Sequence, residues 1–202
     1  MPVHLSDPSP DVPARVKSKL HAFADDAQFT TKALRGARKD QLDVSTPHEV
    51  YTLGLNDITA GGGLDRAQPV GWRYLIVEGG QPIATAETAP GPDGTQEVSQ
   101  FAEGPFVAAT DKAVKILRKL PELEAKGFEL RLLRIPALYM MALWLHATDT
   151  DLLVPMEPSP VGKAGKRMPA EEFFNDLSEL ARSAALPDQP DQPDTPGPTT
   201  AP

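Results

Sequence analysis

Histidine is the residue type in this chain that most readily serves catalysis or metal binding. The four histidines are His4, His21, His48 and His146. No two of them lie three or four residues apart, so no helix can present a histidine pair to a metal, and the HExxH zinc motif is missing. The GxSxG nucleophile motif, the P-loop and cysteine are missing as well. The sequence therefore predicts no metal site and no cofactor, and it assigns no catalytic or cofactor-binding residue.

His146 lies near Asp149 and Asp151 at a predicted hairpin tip, and this spacing allows two interpretations. In the first, His146 is a half-buried strand residue with a hydrogen-bonded ring, and the aspartates are ordinary turn residues. In the second, the three side chains form a small site for a hard cation, which oxygen ligands favour. The spacing matches no calcium-binding loop, so the pattern favours the first interpretation.

Three consecutive glycines, Gly61 to Gly63, are the other candidate for chemistry. The backbone N–H groups of a glycine-rich loop can hold a phosphate where the loop leads from a strand into a helix. Here the segment after the glycines is short, contains Pro69 and leads into a predicted strand. The pattern favours a flexible loop between strands over a ligand loop.

The elements that must position these residues follow from hydrophobic periodicity. Apolar residues at helical spacing predict helices that begin near Asp11, Phe106 and Pro169. Alternation and turn residues predict a strand over 49–58, a hairpin over 72–88, a strand over 128–135 and a second hairpin over 141–156. The fold class is α+β, with a mixed or mostly antiparallel sheet of about six strands and about three helices. The repeated order indicates a possible βββα duplication; chance similarity of two hairpins is the alternative.

Composition indicates which classes of partner are excluded and where the folded domain lies. The chain has 202 residues and a formal net charge of −8, which argues against a dedicated binder of nucleic acid or of anionic membranes. Proline clusters near both ends predict a flexible N-terminus over 1–11, a single α+β domain over 12–186 and a disordered Pro/Asp-rich tail over 187–202.

The expected location is the cytoplasm of a bacterium. The first residues contain no basic segment followed by an apolar one, so they do not form a secretory signal. The longest apolar run, 136–145, is shorter than the ~20 residues that a membrane-spanning helix needs. The abundance of alanine, arginine, glycine and proline suggests a bacterial source.

Both sides of the strand at 72–77 are apolar: Trp72, Tyr74 and Ile76 point one way, and Leu75 and Val77 the other. An antiparallel sheet with a solvated face should alternate apolar and polar residues. We therefore expect either that helix one covers the second face, or that a homodimer or protein partner docks on Trp72, Tyr74 and Ile76. The pattern favours a non-enzymatic protein-interaction module: an adaptor, a chaperone or an inhibitor-like protein. The alternative is a small-molecule-binding protein or enzyme with a pocket between sheet and helices.

Overall fold

The computed structural model describes residues 4–5, 8–117 and 127–185. Within these ranges the chain forms five α-helices and nine strands of one mixed sheet. The predicted α+β class is confirmed, with more elements than the six strands and three helices expected. The predicted tail over 187–202 lies outside the described residues.

The helices and strands have the following bounds. The helices are α1 (Asp11–Asp25), α2 (Lys32–Gly36), α3 (Leu55–Thr59), α4 (Pro105–Leu117) and α5 (Ala170–Ala185). The strands are β1 (His4–Leu5), β2 (Leu42–Thr52), β3 (Gln68–Glu78), β4 (Gln81–Pro90), β5 (Gln96–Ala102), β6 (Glu129–Ile135), β7 (Met140–Ala147), β8 (Thr150–Pro155) and β9 (Met168–Pro169). None of the described helices is long and apolar enough to cross a membrane.

The sheet consists of two meanders that meet at its centre. Its strand order is β5-β4-β3-β2-β6-β7-β8-β9, with the two residues of β1 paired beside β6. The central pair, β2 with β6, is parallel, whereas the neighbours within each meander are antiparallel. Each meander of four strands is followed by a helix, α4 or α5. This order extends the predicted βββα pattern by one strand in each half.

The helices that close the two meanders lie on opposite faces of the sheet. Leu132 packs in a cluster with Val114 and Leu117 of α4, whereas Leu133 packs with Phe173 of α5. Successive residues of a strand point to opposite faces, so α4 and α5 lie on different sides. We call these sides the α4 face and the α5 face.

Helix α1 covers the expected interaction face, Trp72, Tyr74 and Ile76. Tyr74 and Ile76 are 1% and 0% exposed and pack with Val16 and Leu20 of α1, while Trp72 is half-buried beside them. Both Trp72 and Arg131 are paired with Glu49, so α1 and α5 share one face. Two ways of covering this face were expected, by helix one or by another chain. The structure shows that helix one, α1, covers it. A partner could contact Tyr74 and Ile76 only if α1 moved away, and protein binding through this face stays a prediction.

Candidate ligand pocket

A cleft of about 290 Å³ lies on the α4 face, between the sheet and the start of α4. Its floor comes from five strands, β3 to β7, and its rim from the segment that enters α4 and the turn after β6. The polar part of its lining comprises Arg73, Thr85, Glu87, Gln100, Glu103 and Arg134. The apolar part includes Phe106, Tyr139 and Met141. We call this cleft the α4 pocket.

Strand register brings the polar side chains of the α4 pocket together. Arg73 of β3 is directly paired with Glu87 of β4, and Glu87 is paired with Gln100 of β5. Directly paired residues point to the same face of a sheet. A polar row therefore crosses the N-terminal meander, and Arg134 reaches it from β6 across the centre of the sheet.

Glu87 is the hub of a buried ion cluster. Its Oε2 accepts a hydrogen bond from Arg134 Nη1 at 2.8 Å and another from Gln100 Nε2 at 2.9 Å. Its Oε1 lies 3.7 Å from Arg73 Nε, an ion pair that is too long for a hydrogen bond. Arg73 and Glu87 are only 3% and 7% exposed. One carboxylate thus faces two guanidinium groups.

Arg73 is poorly satisfied for a buried cation. Its Nε has no hydrogen-bond partner among the described residues, and its Nη1 donates to the thioether sulfur of Met141 at 3.5 Å, a weak acceptor. Burial lowers the pKa of Arg73 to about 10, with Glu87 raising it and Arg134 lowering it. The guanidinium therefore stays charged at neutral pH, and the cluster of Arg73, Glu87 and Arg134 carries one excess positive charge.

Glu103 is the second acidic residue of the lining, and its carboxylate serves the start of α2. It accepts hydrogen bonds from the backbone N–H groups of Lys32 at 3.3 Å and Ala33 at 2.9 Å. An acidic group near the first turn of a helix is a favourable arrangement. Glu103 therefore uses its carboxylate at the start of α2 and stands outside the ion cluster, although it adds a negative charge to the pocket lining.

Tyr139 supplies an exposed aromatic wall. It follows the turn at 136–138, has a φ of +47°, and is 65% exposed. Its ring centroid lies 5.4 Å from that of Phe106 in α4. The two rings place an apolar surface beside the charged groups, which suits a ligand with both a polar and an apolar part.

His48 is buried on the same strand pair, opposite Arg73 in the register. Its Nδ1 lies 2.8 Å from the carbonyl oxygen of Thr46, and its Nε2 has no hydrogen-bond partner among the described residues. Burial lowers the pKa of His48 to about 3, with a further contribution from Arg73. The ring is therefore neutral at physiological pH and donates from Nδ1 to Thr46.

The hairpin-tip histidine takes part in a local hydrogen-bond network. His146 Nδ1 lies 2.8 Å from Asp151 Oδ1, and Trp144 Nε1 donates to the same oxygen at 2.7 Å. No group of three metal-binding side chains forms among the described residues. This geometry agrees with the first interpretation of His146, a strand residue whose ring is hydrogen-bonded.

The glycine loop lies in a different part of the molecule. Gly61 to Gly63 separate α3 from a short turn over 64–66 and line an open cleft against α5. This cleft includes the side chains of Glu171 and Arg182. The glycines do not lead directly into an α-helix, so the helix N-terminus that would support phosphate binding is missing at that point.

Sequence reasoning missed Arg73, Glu87 and Arg134, although one signal was present. Charged residues within otherwise apolar strands are unusual, because burying an unpaired charge is costly. Arg73 stands inside WRYLIV, and Glu87 inside IATAETA. The sequence indicates that these charges need partners, but the pairing of Glu87 with Arg134 spans 47 positions and depends on the fold.

Comparisons with known proteins leave the pocket as the basis for a functional argument. No protein-family model matches the chain, and searches of curated proteins and of solved structures find no significant match.

Proposed function

We propose that this protein binds a small organic molecule in the α4 pocket. The observation that carries the proposal is the buried cluster of Arg73, Glu87 and Arg134 beside an apolar wall in a cleft of about 290 Å³. Ligand pockets typically occupy ~300–1,000 Å³ and combine apolar lining with a few convergent polar groups. The volume lies just below the lower limit of that range and indicates a metabolite-sized ligand.

Rigid placement supports this proposal. The polar groups stand on neighbouring strands whose register fixes their spacing, and sites on such elements hold their geometry better than sites on loops. A buried ion cluster without a ligand is a poor way to gain stability, since apolar side chains of similar size often serve the fold as well or better. A binding role gives these charges a purpose beyond packing.

The experiment is a ligand-observed NMR screen of small organic acids, amides and alcohols against the full chain. Ala102 lines the pocket on β5, so Ala102→Phe should fill the pocket and abolish the binding of hits. Ala164 is exposed in a loop outside the pocket, and Ala164→Phe is the matched control that should leave binding unchanged. An absence of hits, or hits that bind Ala102→Phe equally well, would contradict the proposal.

Self-association is a second candidate function, and the position of β5 favours it. β5 is an outer strand of the sheet and pairs with β4 on its inner side. An open strand edge can add a strand from another chain. We propose that two copies pair through β5, which light scattering at micromolar concentration would test. A wild-type mass of two 21.7 kDa chains that falls to the mass of one chain in Val98→Lys supports pairing. A single-chain mass for the wild type refutes it.

A further inference from the structure

The ion cluster of the α4 pocket lacks one negative charge. Arg73 and Arg134 share Glu87 as their carboxylate partner in the pocket, and Arg73 is only 3% exposed. A buried cation needs a counter-charge or a full set of acceptors. The cluster is therefore complementary to an anion.

Arg73 also has unused hydrogen-bonding capacity. Its Nε lacks a partner among the described residues, and Nη1 is directed at the sulfur of Met141. Arginine carries five N–H donors in a planar fork that matches carboxylate and phosphate oxygens. An oxyanion would provide the strong acceptors that Met141 does not.

The start of α4 faces the same cleft. Gly104, Pro105, Phe106 and Val107 line the pocket, and α4 runs for 13 residues from Pro105. The first turn of a helix has backbone N–H groups without intrahelical partners and a partial positive charge. In α4 the first residue, Pro105, has no N–H, and Val107 N–H donates to the carbonyl of Gly104. The helix end adds favourable potential for an anion, while the buried Arg73 provides the independent evidence for a ligand.

We propose that the ligand of the α4 pocket carries a compact oxyanion, a carboxylate or a phosphate, that binds Arg73 and Arg134 at the start of α4. Its apolar body lies against Phe106 and Tyr139. This assignment rests on the proposed small-molecule function and specifies its ligand class. Arg134 is 25% exposed on its side chain and is the arginine that contacts solvent at the mouth, whereas Arg73 lies deeper.

Three probes of similar shape test the anion: benzoate, phenyl phosphate and the neutral benzamide. Isothermal titration of the full chain at low ionic strength should give binding of benzoate or phenyl phosphate at least tenfold tighter than that of benzamide, because hydrogen bonds to charged groups are the stronger ones. The anion that binds with the higher affinity identifies the oxyanion as a carboxylate or a phosphate. Raising the salt concentration should weaken the binding of the anions and leave the binding of benzamide unchanged.

Arg134→Met removes one guanidinium while Arg73 keeps Glu87, so this variant should fold. The substitution should lower the affinity for the anionic probe at least tenfold and leave the affinity for benzamide unchanged. Arg38 has a side chain that is 65% exposed and pairs with Glu78 away from the pocket, so Arg38→Met is the charge-matched control and should bind like the wild type. Circular dichroism confirms that each variant is folded.

The outcomes separate the ligand class from the pocket itself. If benzamide binds as tightly as the anions, and Ala102→Phe abolishes this binding, the oxyanion proposal is refuted. The proposal that the pocket binds a small molecule is then retained. An anion whose affinity is the same in Arg134→Met also overturns the oxyanion site. If neither the anions nor benzamide bind, both the oxyanion and its use of the α4 pocket are refuted for ligands of this size.

Discussion

Replacing Glu87 with glutamine should destabilise the fold by about 4 kcal/mol. The substitution keeps the side-chain shape and removes the carboxylate that pairs with both Arg73 and Arg134. Coulomb's law with an effective dielectric constant of about 20 gives about 4.5 kcal/mol for Glu87 and Arg73 at their separation of 3.7 Å. Removing one partner of a buried ion pair typically costs about 3–5 kcal/mol, which agrees with this figure.

The excess of cations predicts an asymmetry between two variants. Arg73→Met leaves Glu87 with hydrogen bonds from Arg134 and Gln100, so it should cost less than Glu87→Gln, which leaves the buried Arg73 without a counter-charge. The assay is urea unfolding followed by tryptophan fluorescence, with the free energy of unfolding extrapolated to water.

Asp111→Asn is the control for this comparison. Asp111 pairs with Lys115 one turn along α4 at 2.7 Å, with Lys115 59% exposed. Exposed pairs of this kind contribute about 0.3–0.5 kcal/mol, so the control should stay close to the wild type. A loss for Glu87→Gln below about 1 kcal/mol, or a larger loss for Arg73→Met than for Glu87→Gln, would refute the account of the cluster.

Three further substitutions test the packing around the site. The hydroxyl of Tyr74 is buried without a hydrogen-bond partner among the described residues, so Tyr74→Phe should leave stability equal or raise it by up to about 1 kcal/mol in urea unfolding; a loss of that size would reveal a missed partner. Gly71 has a φ of +145°, and a Cβ there would lie 1.9 Å from a carbonyl oxygen of β4; Gly71→Ala should lower stability by at least ~2 kcal/mol, and Gly36→Ala, with nothing within 4 Å, should not. The pKa of His48 is about 3 in the folded protein, against an ordinary value of 6.5. Between pH 3 and pH 6.5 the unfolded chain therefore binds a proton that the folded protein does not. Stability should fall as pH drops from 6.5 towards 3, by up to about 1.4 kcal/mol per pH unit; His48→Asn should flatten this slope in unfolding measured across pH, and an unchanged slope would argue against the buried neutral ring.

Local patterns in the sequence predicted the hairpins β3–β4 and β7–β8 well. The pair Gly79-Gly80 turns between β3 and β4 with φ values of 55° and 82°, which glycine adopts without strain. Trp144, which lies in the apolar run at 136–145, is 4% exposed. These features depend on neighbouring residues, so the sequence carries them directly.

Elements without a strong apolar pattern were missed. β5 reads QEVSQFA and, among the described strands, contacts only β4, so its exposed positions are polar and its signal is weak. The helices α2 and α3 have five residues each, too few to establish a helical period. The strand predicted over 49–58 is wrong beyond Thr52, where β2 ends and α3 follows from Leu55. The remaining difference from the predicted element count comes from the two-residue strands β1 and β9.

The proposed ligand site differs from the protein-interaction module that the sequence favours, because the sequence leaves the placement of helices over the sheet open. The apolar pattern of Tyr74 and Ile76 correctly indicated a covered face, and two covers were compatible with it. Helix α1 provides the cover in the structure. The polar cluster of the α4 pocket depends on pairings between β3, β4, β5 and β6, which the periodicity of a single strand does not contain.

The most direct test of the central claim, that the α4 pocket is the ligand site, is an NMR titration of the isotope-labelled full chain with benzoate. The account predicts that backbone amide shifts concentrate at Gly104, Phe106 and Val107, where α4 begins, and at 139–141, where Tyr139 stands. Shifts concentrated instead around Gly61 to Gly63 and α5, or a spectrum unchanged at saturating benzoate, would contradict it.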